Sequence, residues 1–372
     1  MSDELSRRSR IVKYLVAEFN SNKSLTEKFA VNPGSKSEMD MDYNYPEHLV
    51  AERIHMDNFE MELLTCRDHT AFDKTPASSD SEEDSESTAE SDSPVDTESI
   101  VESKSSDNSD SSMSPESLAD SEADKKEELE KNDKAEEQDT PHKWVILQLH
   151  GGGYIGAMRR QYKVMAGLYS EVGRGATVLT VDYRVAPEHP FPAALEDAMA
   201  AYEWLLEQGY SEEDIVLAGD SAGGGLAMAL CHTLKSSWRK LPAGIIAMSP
   251  WTDLTASGPS YKENYDKDPV FGNDRSELIF DNPYIGDANP RDPRISPAFG
   301  DFTGFPPMLI QVGTDEMLLS DSEIVAAKAR SQGVKVRFTK YQGMFHVFQM
   351  SGKIIEESRR AWAEVKRFLE EI

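Results

Sequence analysis

Residues 216–230, VLAGDSAGGGLAMAL, set one hydroxyl between an apolar run and a stretch of small residues. Gly219, Ser221 and Gly223 form G-x-S-x-G, which reads as buried strand, sharp turn and helix. Small residues let the backbone bend tightly there and hold the serine above the carboxyl edge of a sheet. A serine hydroxyl is a weak nucleophile, so it needs a base, and the base needs an acid to orient it. PMLIQVGTDEMLLSDS puts Asp315 just past a strand pattern, with Glu316 and Asp321 as neighbouring carboxylates that could substitute for it. VRFTKYQGMFHVFQM puts His346 in a loop after the last strand pattern. Ser221, Asp315 and His346 then stand in the order nucleophile, acid, base, each at a strand end, and acyl transfer through a covalent intermediate is the chemistry they suit.

A second glycine cluster, WVILQLHGGGYIGAMRR, carries two readings. His150-Gly151-Gly152-Gly153 makes an oxyanion loop, whose amides stabilise charge on a tetrahedral intermediate together with the amide of Ala222 after the serine. Alternatively Gly151, Gly153 and Gly156 spell G-x-G-x-x-G, and Asp182, ending TVLTVD, stands where a dinucleotide-binding oxidoreductase wants its ribose-binding acid. The partners available to Ser221 favour the first. A third reading is a non-catalytic ligand-binding protein that keeps the pocket; the presence of His346 weighs against it.

The elements that must position these residues follow from periodicity. Apolar runs at 144–149, 177–181, 215–218, 244–248 and 307–312 alternate with helical patterns near 193–208, 222–235 and 319–331, and a helix at about 353–371 closes the chain. Such alternation predicts a mostly parallel sheet covered on both faces. Phe59–Cys66 reads as a strand. Leu5, Ile11, Val12, Leu15 and Phe19 predict one or two amphipathic helices within 1–50.

Residues 77–139 break the pattern. They hold 23 Asp and Glu, 5 Lys and 17 Ser with no aromatic residue, and so carry −18 of the chain's net −28. A segment of that composition cannot bury enough apolar area to offset its ordering entropy, and disorder is expected. Ser81-Glu82-Glu83-Asp84 suits an acid-directed kinase or a protein partner, against the plainer role of a solvated tether. The acidity excludes a nucleic-acid site, which needs clustered Lys and Arg. Cys66 and Cys231 are too few for a disulfide framework and suit a reducing compartment. MSDELSRRSR opens no long apolar run, so no signal peptide or integral membrane segment is expected, and the protein is expected to be cytoplasmic.

HGGG, YRVAPEHPFPAA, GDSAGG, GTDEML and GMFHVF, in register over residues 141–372, resemble the hormone-sensitive-lipase family of α/β-hydrolase esterases. The resemblance implies an α/β-hydrolase fold with a helical cap, and hydrolysis of short- to medium-chain carboxylic esters without metal or cofactor. It implies Ser221 as nucleophile, His346 as general base and acid, Asp315 as orienting acid, and the amides of Gly151, Gly152 and Ala222 as oxyanion hole. His150 and Glu188-His189 would brace loops. The chain would divide into cap helices at 1–50, a leading strand region at 51–76, the insert at 77–139, and a catalytic domain at 140–372 with a second cap segment at 253–285. The insert leaves open where the second strand of the family's sheet lies.

Overall fold

The computed structural model describes residues 5–20, 37–68, 144–272 and 277–372. They belong to one unit, built from residues 1–74 and 143–372. The acidic insert and any second helix at 21–36 lie outside the described residues.

Helix α1 (Arg7–Asn20) precedes a hairpin of β1 (Leu49–His55) and β2 (Glu60–Cys66). Then come β3 (Val145–Leu149), α2 (Gln161–Val172), β4 (Thr177–Asp182), α3 (Ala193–Glu207), β5 (Ile215–Asp220), α4 (Ala222–Ser236) and β6 (Gly244–Met248). After an excursion holding two one-turn helices, β7 (Met308–Gly313), α5 (Leu319–Ser331), β8 (Val336–Tyr341) and α6 (Glu356–Glu371) finish the chain. The sheet order is β1-β2-β4-β3-β5-β6-β7-β8. β2 is antiparallel to both β1 and β4, and the other neighbours are parallel. The missing second strand is therefore β2, with Met61 opposite Val181 and Leu63 opposite Leu179.

The central strands are buried on both faces, as a parallel sheet between helices requires. Alternation along them builds two cores. Val145, Leu147 and Leu149 of β3 join Ile215 and Leu217 of β5 in one, under α3, α4 and α5. Ile146, Val216, Ala218 and Leu309 face the other way, against Tyr169 of α2 and Trp362, Val365 and Phe368 of α6. Two elements escaped the sequence reading. β1 is an edge strand whose LVAERIH carries charges at its middle, because only one side of it must be buried. α2 buries Tyr162, Met165, Ala166 and Tyr169 at helical spacing, a signal overshadowed by the glycine loop before it. No helix among the described residues is long and apolar enough to cross a membrane.

Candidate active site

β5 ends at Asp220, and the chain turns through Ser221 (φ 52°, ψ −122°) into α4. The flanking glycines are obligatory here. A Cβ on Gly219 would lie 2.3 Å from the Gly223 carbonyl oxygen, and one on Gly223 would lie 2.1 Å from that of Leu149. β6 holds the turn from the other side: the Ser221 amide donates to Met248 O (3.0 Å), and the Trp251 amide donates to Ser221 O (2.8 Å).

His346 follows β8 in a loop where Val347 takes a left-handed conformation (φ 51°) and donates its amide to Ser249 Oγ (3.1 Å). That places His346 Nε2 2.9 Å from Ser221 Oγ. Nδ1 lies 2.9 Å from a carboxylate, and the carboxylate is Glu316 Oε2, not Asp315. Glu316 is fully buried; its Oε1 accepts from the Gly313 amide (2.5 Å) and from Ser249 Oγ (2.8 Å). Burial pushes its pKa up, opposed by the hydrogen bond and charge of His346. Asp315 points the other way, to Lys13 of α1, and stays 21% exposed. Both residues lie in the turn beyond β7, where the Gly313 amide and Ser249 draw Glu316 inward while Lys13 holds Asp315 outside. The pair Asp315-Glu316 was legible as two candidates; which one turned inward was not. A third carboxylate, Asp321, accepts the amides of Thr252 and Asp253 (both 2.8 Å) and does not reach His346. Asp268 is also buried near the histidine, accepting the amides of Val270, Phe271 and Met317.

The glycine loop departs from expectation by one residue. The Gly151 amide is already engaged, donating to Tyr162 Oη (2.8 Å) and Asp220 Oδ1 (3.2 Å). A Cβ on Gly151 would lie 2.3 Å from Asp220 Oδ2, so this glycine serves close packing. Burial raises the pKa of Asp220 to about 7, with the Tyr162 hydroxyl opposing it. Gly152 (φ 118°) and Gly153 (φ 64°) line the cavity beside Ser221, and no hydrogen bond among the described residues engages their amides or that of Ala222. His150 is buried and stacks on Tyr183 at 4.0 Å; burial lowers its pKa to about 4, which keeps it neutral. It braces the loop as expected. Glu188 and His189 are instead exposed, and the neighbouring turn is tied by Arg184 to Asp197.

The dinucleotide reading fails on geometry. α2 begins only at Gln161, five residues after Gly156, so no helix N-terminus follows the glycine loop directly. Asp182 meanwhile accepts the Met158 amide (3.3 Å). Ser221 and His346 open onto a cavity of about 360 Å³ with a mainly apolar wall that includes Val16, Trp251, Phe271, Ile279 and Phe345.

Residues 146–350 match the family described as having the alpha/beta hydrolase fold. An acetyl-hydrolase of Streptomyces hygroscopicus is 39% identical over 224 residues, covering 60% of this chain and 74% of its own. An esterase of Acinetobacter venetianus is 38% identical over 225 residues, with the same coverage of each chain. The solved structure of an esterase from the bacterial hormone-sensitive lipase family superposes with a TM-score of 0.70 at 27% identity, covering 98% of both chains. Strand order, serine turn and sequence agree: the chain belongs to the α/β-hydrolase family, in its hormone-sensitive-lipase branch. It is a carboxylic ester hydrolase.

Proposed function

We propose that the chain is a serine carboxylesterase using Ser221 as nucleophile, His346 as general base and acid, and Glu316 as the acid that orients the histidine. The observation that carries this reading is the continuous buried relay from Glu316 Oε2 through the His346 ring to Ser221 Oγ, with 2.9 Å at each junction. A carboxylate facing Nδ1 keeps the proton there, so Nε2 accepts from the serine hydroxyl as it attacks an acyl carbonyl. The oxyanion is received by the amides of Gly152, Gly153 and Ala222, which carry no competing hydrogen bond among the described residues. The imidazolium then protonates the leaving alcohol, and water repeats the sequence on the acyl-enzyme.

α1 and the 253–285 excursion act as the cap, since Val16, Val270, Phe271 and Ile279 close the cavity over the serine. The small apolar cavity, and the likeness to a relative described as an acetyl-hydrolase, support carboxylic esters with short to medium acyl chains as substrates. A panel of p-nitrophenyl esters of increasing acyl length tests this. Turnover should peak at the short end and fall on the order of 10⁴-fold or more in Ser221→Ala and His346→Ala, with both variants folded. Full activity in either variant would overturn the assignment.

A further inference from the structure

α1 lies over the cavity with one face turned in. Leu5, Val12 and Val16 pack against the cluster of Tyr341, Met344 and Phe345, and Lys13 holds Asp315 and the Gly343 carbonyl. The opposite face carries apolar side chains among charged ones. Ile11, Tyr14 and Leu15 are exposed, Tyr14 by 65%. Three more exposed side chains, Val164, Phe280 and Ile354, each stand within three residues of a cavity-lining one (Gln161, Ile279 and Ser351). Six of the nine large hydrophobic side chains exposed among the described residues are thus attached to the elements that wall the cavity. Exposed apolar side chains concentrated on the elements around a cavity mouth offer surface to a partner.

Charge identifies the partner. The first turns of α1 carry Arg7, Arg8 and Arg10, all exposed, and the first turn has no acid. No ion pair among the described residues engages these three arginines. Cations at a helix N-terminus oppose the macrodipole, so the isolated fold gains nothing from them there. In a chain of net charge −28 they form a local basic edge beside an apolar face, the pattern of a helix lying in a membrane interface. Repulsion from acids elsewhere on the chain is screened within about 8 Å at physiological salt, which leaves contact-range attraction intact.

We propose that the outer face of α1 and the apolar rim of the cavity dock on an anionic lipid bilayer, seating the mouth on the surface from which esters enter. The proposal takes from the hydrolase reading only that the cavity receives substrate; binding itself is independent of Ser221. Co-sedimentation of the full chain with vesicles of phosphatidylcholine, with and without about one-third phosphatidylglycerol, tests it. The parent chain should bind the anionic vesicles at least about tenfold more tightly than the neutral ones. Two variants, Ile11→Ser with Tyr14→Ser and Leu15→Ser, and Arg7→Glu with Arg8→Glu and Arg10→Glu, should each lose that binding. Turnover of p-nitrophenyl acetate in both should stay within about twofold, which separates a failure of docking from a failure of the catalytic assignment. Should the serine variant misfold, the arginine variant decides, since its side chains lie in solvent. Absence of parent binding, or unchanged binding in a folded variant, overturns the proposal. So does self-association of the parent that the same substitutions abolish without any vesicle binding.

Discussion

Replacing Glu316 by Gln isolates the orienting role, because the surrounding donors dictate how the amide must sit. The Gly313 amide and the Ser249 hydroxyl both donate to Oε1, at 2.5 and 2.8 Å. Ser249 cannot reverse its bond freely, since its oxygen already accepts from the Val347 amide (3.1 Å). The glutamine carbonyl oxygen must therefore occupy the Oε1 position, and its NH₂ group then faces His346 Nδ1. A donor there forces the histidine proton onto Nε2, where the ring can no longer accept from Ser221. The loss expected for such a tautomer error is about 10⁴-fold in kcat, roughly 5.5 kcal/mol of transition-state stabilisation. KM should change little, because Glu316 does not line the cavity. The melting temperature should hold within a few degrees, since Gln preserves shape and removes a carboxylate whose charged form burial disfavours.

Asp315→Asn is the matched control. It weakens a partly exposed ion pair with Lys13, a loss of about 1 kcal/mol or less, and should leave kcat within a few-fold. Steady-state turnover of p-nitrophenyl acetate by both variants, with thermal melts as the folding check, decides between the carboxylates. If Asp315→Asn lost three orders of magnitude while Glu316→Gln stayed active, the relay described above would be wrong.

Three further outcomes are expected. Burial raises the pKa of Asp321 from 3.8 to about 8, with the Thr252 amide opposing it. Between those values the unfolded chain has released a proton that the folded one keeps, so this group's contribution to stability falls as pH rises from about 4 to about 8. Asp321→Asn should flatten that fall, and melts between pH 5 and 9 check it at about one-unit steps. Calorimetric titration with NAD should show no saturable binding, because Asp182 and the Gly151 amide already have partners within the fold. Replacing 77–139 by a short Gly-Ser linker should leave turnover within a few-fold and stabilise by about 1–2 kcal/mol through the shorter loop, since every strand and site residue described comes from outside it. Activity lost on that replacement, or a melting temperature lowered by tens of degrees, would refute the last.

The two one-residue displacements at the site share a physical origin. A continuous apolar run is printed in the sequence wherever a strand is buried on both faces of the sheet, which is why β3, β5 and β7 were legible to within a residue or two, and with them the places where Ser221, His346 and an acid had to stand. That pattern stops where the chain leaves the sheet. At 313–316 the choice between adjacent carboxylates is made by the Gly313 amide and Ser249, partners remote in sequence or hidden in the backbone. At 150–153 it is made by Tyr162 and Asp220, which claim the first glycine amide and pass the open positions to the next two. No periodicity encodes either choice. β2 was legible as a strand but not in its place in the sheet, for a related reason: it pairs with β4, with the whole insert between it and β3, so nothing local marks its neighbour. Ser221 stayed unambiguous because its requirement is local. Gly219 and Gly223 must approach other backbone atoms closely, and a turn that tolerates no Cβ on either side of one serine leaves its mark in the sequence itself.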